Sequence, residues 1–288
     1  MEDMVVRLAV RINSFVYADG TRAMNKINLD IRKGEFTGIL GSNGSGKTTL
    51  LKIMDGLIKD FQGTVHLDGR NVQKLSPKEI FSKIGLIFQS PDEQLFAGSV
   101  SEDVAFGPLN MGLKGKEVAR RVKEALDDVE LAGYEAKSIH NLSYGQKKRV
   151  CIAGLLAMGH EIILLDEPTA GLDPMGEYRM MSLLKKLNTE KQVTIVMATH
   201  SVDLVPVFLD KLYILGKGAI VRGGAPEEVF SAPDDMADVK LRLPQIAELI
   251  YKLKHEDKMA FEKIPLTIGE ARREIMRIAG EAAGQIVS

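Results

Sequence analysis

No disulfide framework, membrane span, secretory leader or nucleic-acid footprint is expected from this sequence. Cys151 is the only cysteine, which excludes an internal disulfide and points to a reducing compartment. The formal net charge of −1 removes the electrostatic basis for binding nucleic acid. No apolar run approaches the ~18 residues of a membrane span. The best, Val150 to Gly159, is interrupted by His160, so the chain is not expected to cross a membrane by itself. The start, Met1-Glu2-Asp3-Met4, is acidic and lacks the basic and apolar regions of a signal peptide. The five histidines, His66, His140, His160, His200 and His255, show no paired spacing of the kind that holds a metal ion. There is no internal repeat and no low-complexity tract. What remains is 288 residues with 45% apolar and 27% charged content, ordinary for a soluble globular chain with an ample core.

Against that background one stretch stands out: Gly41-Ser42-Asn43-Gly44-Ser45-Gly46-Lys47-Thr48-Thr49. It follows the apolar Phe36-Thr37-Gly38-Ile39-Leu40 and precedes Leu50-Leu51-Lys52-Ile53-Met54, which gives the order strand, glycine loop, helix. Glycines at 41, 44 and 46 permit backbone angles that a Cβ would forbid. The loop N–H groups can then converge on an anion, with the N-terminus of the helix adding positive potential. Lys47 is expected to reach the β- and γ-phosphates of a nucleotide and the Thr48 hydroxyl to ligate Mg²⁺. A chance glycine-rich turn would not need the lysine, the threonine and the flanking elements together.

The rest of the chain supplies a scaffold. Val5 to Tyr17 nearly alternates apolar and polar residues and ends at the turn signal Asp19-Gly20; Asn28 to Ile31 reads as another strand. Gly63 to Gly69 reads as a third strand, closed by Asp-Gly. These predict an antiparallel β layer beside the nucleotide core. Ile84 to Phe88 reads as a buried strand ending at Gln89, and Ser90 to Phe96 as a surface loop or short helix. From Ser101 to about Met158 the spacing turns helical, with Val118, Val122, Ala125, Leu126 and Val129 on one face. Ser143 is a candidate N-cap for a helix carrying Val150, Ala153, Leu156 and Ala157. Ile162 to Leu165 is a continuous apolar run of the kind buried in parallel sheets. A helix from Met175 to Leu187 and a strand from Val193 to Met197 follow, ending at Thr199-His200. This alternation predicts an α/β fold with a parallel sheet. Beyond about Asp235, two apolar stripes (Ile246, Leu249, Ile250, Leu253 and Ile268, Ala271, Ile275, Ile278) predict helices joined by a solvated connector, Lys254 to Lys258.

Four polar side chains fall where strands end, at the edge where open α/β sheets bind ligands. Asp166 closes the apolar run at 162–165 and is placed to hold Mg²⁺. Glu167 follows it and could polarise or deprotonate an attacking water. His200 could hold that water and the γ-phosphate in line, and the Gln89 amide could sense the metal or the water. Tyr17, about two dozen residues before the glycine loop, reads equally as an exposed turn residue or as a stacking platform for adenine.

The ordered set Gly41–Thr49, Gln89, Leu142-Ser143-Tyr144-Gly145-Gln146, Ile162–Glu167, Gly171-Leu172-Asp173 and His200 resembles the ATP-binding cassette (ABC) family over about residues 5–230. The resemblance implies a phosphate-loop nucleoside-triphosphatase core with an antiparallel β subdomain and a helical signature subdomain at about 101–158. It implies ATP and Mg²⁺ as ligands, Glu167, His200 and Lys47 as the catalytic set, and Tyr17 as the adenine-stacking residue. Thr48, Asp166 and Gln89 become the metal ligands. Ser143, Gly145 and Gln146 become a signature motif that acts in trans on ATP held by a second subunit, and Asp173 sits at that interface. Tyr144 stands where the family more often has glycine and is expected to be tolerated.

A narrower resemblance rests on Ser90-Pro91-Asp92-Glu93-Gln94-Leu95-Phe96 and Glu102-Asp103-Val104-Ala105-Phe106-Gly107-Pro108. These are similar to the ATPase subunits of energy-coupling-factor importers, particularly the cobalt and nickel branch. That implies an integral membrane coupling subunit and a substrate-binding membrane component as partners, at the cytoplasmic face of the membrane. It makes residues 1–234 the ATPase domain and 235–288 a small C-terminal helical region that helps pair two ATPase subunits. Leu95 and Phe96 read as contacts to the coupling subunit in preference to a local plug. Vitamin uptake is the near alternative for the cargo. A soluble cassette ATPase acting on nucleic acid or ribosomes is the alternative of another class, but the chain has no coiled-coil insertion and no second cassette. A GTPase would need Asn-Lys-x-Asp, and Asn25-Lys26-Ile27-Asn28 fails at its last position.

Overall fold

The computed structural model describes residues 5–231 and 233–286; the acidic start, Met1-Glu2-Asp3-Met4, lies outside the described residues. Alternation in the first segments produces two long paired strands, β1 (Val6–Val16) and β2 (Arg22–Arg32), with Val10 opposite Leu29 and Ile12 opposite Ile27. The Asn28–Ile31 strand read from the sequence is the middle of β2. β3 (Phe36–Leu40) is buried at every position and runs into the glycine loop and α1 (Lys47–Met54). β4 (Gln62–Leu67) and the short β5 (Arg70–Asn71) complete an antiparallel sheet of order β2-β1-β4-β5.

α2 (Pro77–Phe81) leads into β6 (Ile84–Ile87). The helical layer follows as α3 (Val100–Asn110), α4 (Gly115–Asp128) and α5 (Tyr144–Met158). In α4 the predicted stripe Val118, Val122, Ala125 and Leu126 is buried, while Arg120 bridges Glu117 and Glu124 on the opposite face. Ser143 caps α5 as expected, and Gln146 returns the bond to the Ser143 N–H in a capping box. On α5 Leu155 is buried along with Val150, Ala153 and Ala157, and Leu156 is half-buried against the same core, because the helix is covered on most of its circumference.

β7 (Ile162–Asp166), α6 (Pro174–Lys191) and β8 (Thr194–Thr199) continue the alternation; α6 extends beyond the predicted 175–187. After α7 (Val205–Phe208), an unpredicted hairpin forms from β9 (Lys211–Gly216) and β10 (Ala219–Gly224). Its two-residue turn is Lys217-Gly218, with φ of 47° and 76°, the left-handed pair that suits a right-twisted hairpin. The second sheet has the order β10-β9-β3-β8-β7-β6, parallel throughout except for the β9–β10 hairpin.

Both faces of this sheet are covered, which is why its strands read as unbroken apolar runs. Ile162 and Leu164 pack with Ile39, Leu50 and Ile53 against the antiparallel sheet. Ile163 and Leu165 pack with Phe36, Val150 and Met181 against the helices. Truncating one such side chain, for example Leu164→Ala, costs about 2–5 kcal/mol in a core this tight. Tyr213 Oη joins the two sheets, accepting from the Asp30 N–H at 3.2 Å and donating to the Asp30 carbonyl at 3.1 Å.

α8 (Pro226–Phe230) and α9 (Pro233–Asp238) lead to α10 (Gln245–His255) and α11 (Ile268–Ile286). Met236, Val239, Leu243 and Ala247 join the main core, and Ile250, Phe261 and Ala271 form a satellite cluster. Leu249 and Ile268, predicted within the stripes, are 51% and 74% exposed: they lie at the margins, where the turn geometry carries them past the packed face. Among the described residues, no helix is long and apolar enough to cross a membrane.

Candidate functional site

The parallel register brings the chemistry together. Leu40 pairs with Thr199, Asp166 with Ala198, and Leu165 with Ile87, so β3, β8, β7 and β6 finish at one edge. Gly41, His200, Glu167 and Gln89 are the residues reached just beyond that edge. A cleft of about 480 Å³ opens there, lined by Tyr17, Asn43, Gly44, Gly46, Lys47, Thr48, Thr49, Gln89, Asp166, Glu167 and His200. Thr21, Arg22 and Ala23, which sequence reasoning did not single out, complete its rim.

The glycine loop leaves no room for side chains where it turns. A Cβ on Gly46, whose φ is 105°, would lie 2.4 Å from Met24 Cε and 2.9 Å from the Ala23 carbonyl. A Cβ on Gly41 would lie 2.4 Å from Ser45 Oγ and 2.6 Å from the Leu215 carbonyl. Gly46 is also the N-cap of α1 and offers no side-chain acceptor. The N–H groups of the first turn, Lys47 to Thr49, are therefore left for an anion at the helix N-terminus.

Lys47 is buried and bonds the carbonyls of Gly41 at 2.8 Å and Ser42 at 3.3 Å. Its Nζ also lies 3.3 Å from Glu167 Oε1. That same oxygen lies 2.9 Å from His200 Nδ1. Glu167 is buried and adopts φ of 49°, a left-handed conformation that turns its carboxylate away from the strand direction and toward the loop. Thr48 Oγ1 donates to Asp166 Oδ2 at 2.6 Å. Burial pushes the Asp166 carboxyl above its ordinary value, against the opposing effect of that hydrogen bond. These two hard oxygen donors, side by side under the loop, suit a small divalent cation.

Tyr17 is 39% exposed; its hydroxyl shares a 2.8 Å hydrogen bond with Thr49 Oγ1, and its ring meets Phe15 edge-on with centroids 4.8 Å apart. It is neither a free turn residue nor buried, and it presents a braced ring at the cleft mouth.

Not every predicted residue reaches the cleft. Ser143, Gly145 and Gln146 are at the start of α5, outside it; the Gln146 side chain donates to Tyr134 Oη at 3.3 Å. Asp173 caps α6, accepting from the Gly176 N–H at 2.6 Å. Gly41, Ser42 and Ser45 shape the loop without lining the cleft. Besides Thr21, Arg22 and Ala23, a residue outside the cleft was missed. Lys148 is 3% exposed, and its ammonium donates to the carbonyls of Glu167, Pro168 and Ala170. Desolvation pulls its pKa down to about 8. Its place between Lys147 and Arg149 hid it in a basic run.

Comparison with known proteins identifies the family and the fold. The family described as ABC transporter matches residues 24–170. A putative ABC transporter ATP-binding protein of Geobacter sulfurreducens is 66% identical, covering 95% of this chain and 98% of its own. The energy-coupling factor transporter ATP-binding protein EcfA of Methanococcus maripaludis is 47% identical, over 95% of this chain and 99% of its own. Among solved structures, CbiO1 of Clostridium perfringens, part of the ABC transporter complex CbiONQ, aligns with a TM-score of 0.75 at 41% identity, covering 87% of this chain and all of that one. The ATP-binding cassette MJ0796, a dimer in a post-hydrolysis state with ADP and phosphate, aligns with a TM-score of 0.67 at 32% identity, covering 77% and 98%.

Proposed function

The chain is an ATPase that belongs to the ABC transporter family, and we propose that it is the motor subunit of an energy-coupling-factor type importer for cobalt or nickel ions. The observation that carries the motor reading is the division of the site: one cleft gathers Lys47, Thr48, Asp166, Glu167 and His200, while Ser143 and Gly145, at the start of α5, do not line it. A second subunit, turned head to tail, would supply that signature turn to close the ATP.

In this reading Lys47 and the first-turn N–H groups hold the β- and γ-phosphates, and Tyr17 stacks on the adenine. Glu167, aimed by Lys47 and His200, accepts the proton of the attacking water. His200 keeps water and γ-phosphate in line. Thr48 and Asp166, with Gln89, would hold Mg²⁺, which when bound neutralises charge on the phosphate oxygens. Asp173, capping α6 beside the signature turn, links the two sites. Closure on ATP and reopening after hydrolysis would drive the membrane partner.

The surface for that partner is read at Phe96. Leu95 packs against the helical core, whereas Phe96 is 65% exposed and meets Phe106 edge-on at 4.6 Å. Phe106, Leu109 and Met111, in and just after the second half of α3, are exposed as well, apolar surface of the kind that a coupling segment of an integral subunit would require. The plug and the contact expected of the Leu95-Phe96 pair thus fall to different residues. Ile268 and Met276, exposed on α11, are assigned to pairing of two ATPase subunits through residues 235–288. The cargo ion would be selected by a separate membrane component, with this chain peripheral at the cytoplasmic face and no nucleic acid involved.

A pull-down of the tagged chain from detergent-solubilised native membranes, with metal analysis and mass spectrometry, tests this. An integral subunit with a small membrane component enriched in cobalt or nickel is expected. A partner carrying a vitamin would keep the motor and replace the cargo; ribosomes or DNA without a membrane partner would overturn the transport reading.

A further inference from the structure

Lys148 has no counterpart in the roles assigned so far. It is an ammonium inside the protein, and no carboxylate among the described residues is within ion-pair distance of it. All three of its donors are used on main-chain oxygens: Glu167 O at 2.9 Å, Pro168 O at 3.0 Å and Ala170 O at 2.9 Å. Glu167 and Asp166 attract it only from beyond contact distance, and a buried cation with no carboxylate in contact is unfavourable unless converging dipoles replace its water. Here the backbone supplies them. The strap 167–170 curls so that three carbonyls point inward, a turn also closed by Ala170 N–H donating to Glu167 O at 3.1 Å. The strap opens with the left-handed Glu167, a strained backbone for a side chain that is not glycine.

Tyr144 covers this joint. Its ring lies 5.1 Å from Lys148 Nζ, close enough for a cation–π contact. A Cβ on Gly171 would come within 3.0 Å of Tyr144 Cε1, so ring and strap are in contact. The Tyr144 hydroxyl donates to the Gln89 carbonyl at 3.2 Å. One helical turn, directly after Ser143, therefore grips both the strap that carries Glu167 and the backbone of Gln89.

We propose that Lys148 is a positioning residue: it holds the 167–170 strap, and through it the Glu167 carboxylate, in register with the helix that begins at Ser143. Removing its donors frees three carbonyls and lets the strap relax out of the left-handed turn. The carboxylate then loses its aim at the water, while the glycine loop, which follows a different strand, keeps its backbone and its bonds from Lys47 to the Gly41 and Ser42 carbonyls. A displacement of about 1 Å at a reacting group is enough to cost ~10²-fold in rate. The proposal rests on the reading of Glu167 as the base for hydrolysis, and its test separates the two.

Lys148→Met keeps an unbranched side chain one atom shorter and removes charge and donors; Lys148→Gln keeps two donors. Each is made in the wild-type chain and in Glu167→Gln, and ATP turnover is measured in steady state and single turnover alongside affinity for a non-hydrolysable ATP analogue. The expected result is a fall in kcat of about 10- to 100-fold for Lys148→Met, with KM and analogue affinity within about threefold, and an intermediate fall for Lys148→Gln. In the Glu167→Gln background neither change lowers the residual rate by more than about twofold, because both act through one carboxylate. Should Lys148→Met fail to fold by circular dichroism, Lys148→Gln carries the same cycle. Wild-type kcat in the Lys148 variants, or losses that add to that of Glu167→Gln, would overturn the positioning role while leaving the base in place. A Glu167→Gln chain that hydrolyses ATP normally would instead remove the base, and this inference with it.

Discussion

Lys47→Ala does two separable things, and the structure says how large each is. The lysine and Glu167 face one another at 3.3 Å with side chains 7% exposed apiece, so solvent screens neither. Breaking such a pair from one side strands a buried charge, which costs about 3–5 kcal/mol. His200 is the contact left to the carboxylate, and its side chain is 53% exposed, so it compensates only in part. The Gly41 and Ser42 carbonyls lose their donor as well. A second change, Glu167→Gln, removes the stranded charge, and the double variant should regain about 2 kcal/mol or more relative to Lys47→Ala. Urea unfolding followed by circular dichroism, without nucleotide, measures the stability term. Calorimetry with ATP measures the other, where tight binding should disappear in both variants because the phosphates lose their cation. A Lys47→Ala chain as stable as wild type, with no recovery in the double variant, would refute the buried-pair argument. Unchanged affinity would refute the phosphate-loop reading.

Other expectations are independent of that one. Glu167→Gln should keep ATP binding and slow hydrolysis by about 10²-fold or more, accumulating a closed dimer; wild-type turnover would strip Glu167 of its role. Phe96→Ser should uncouple transport in reconstituted vesicles with ATPase activity and melting unchanged, whereas Leu95→Ser should lower stability, because only Leu95 packs on the core. Burial pushes the Asp55 carboxyl up to about 7, with Oδ1 unpartnered among the described residues. The folded state then holds a proton that the unfolded chain has lost, so this residue subtracts stability as pH rises from about 4 to about 7. Asp55→Asn should stabilise the protein by up to about 4 kcal/mol at pH 8 and by little at pH 4; equal effects at both would contradict the shift.

How far the sequence reveals this molecule depends on whether a residue's neighbours are close in the chain. Ile162 to Leu165 announces a strand buried on both faces, so the polar pair that follows it must surface at the sheet edge beside the loop at 41–49. The Ser143 N-cap is local and was equally legible. Lys148 was not, since it sits between Lys147 and Arg149 and looks like part of a solvated basic run. Only the packing of α5 shows that the middle member points inward, to carbonyls about 20 residues away in the chain. Tyr144 is expected to be tolerated because its neighbours supply the phosphate contacts; nothing nearby in sequence reveals its own contacts with Gln89 and Gly171. The β9–β10 hairpin did leave a trace in Leu212 to Leu215 and Lys217-Gly218. The margins of the C-terminal stripes left none, because periodicity fixes a face and not the extent of what covers it.

The central claim is that each ATP site is shared by two chains, and complementation tests it most directly. Ser143→Asp keeps the helix cap while placing a negative charge where the signature turn would meet phosphate. Lys47→Ala disables the glycine loop. Each variant alone should be inactive. Co-expressed in equal amounts, they form mixed dimers in which one of the two sites is intact, and ATPase activity should return to roughly a quarter of wild type. A mixture no more active than either variant alone, or a Ser143→Asp chain with full activity, would contradict the shared site.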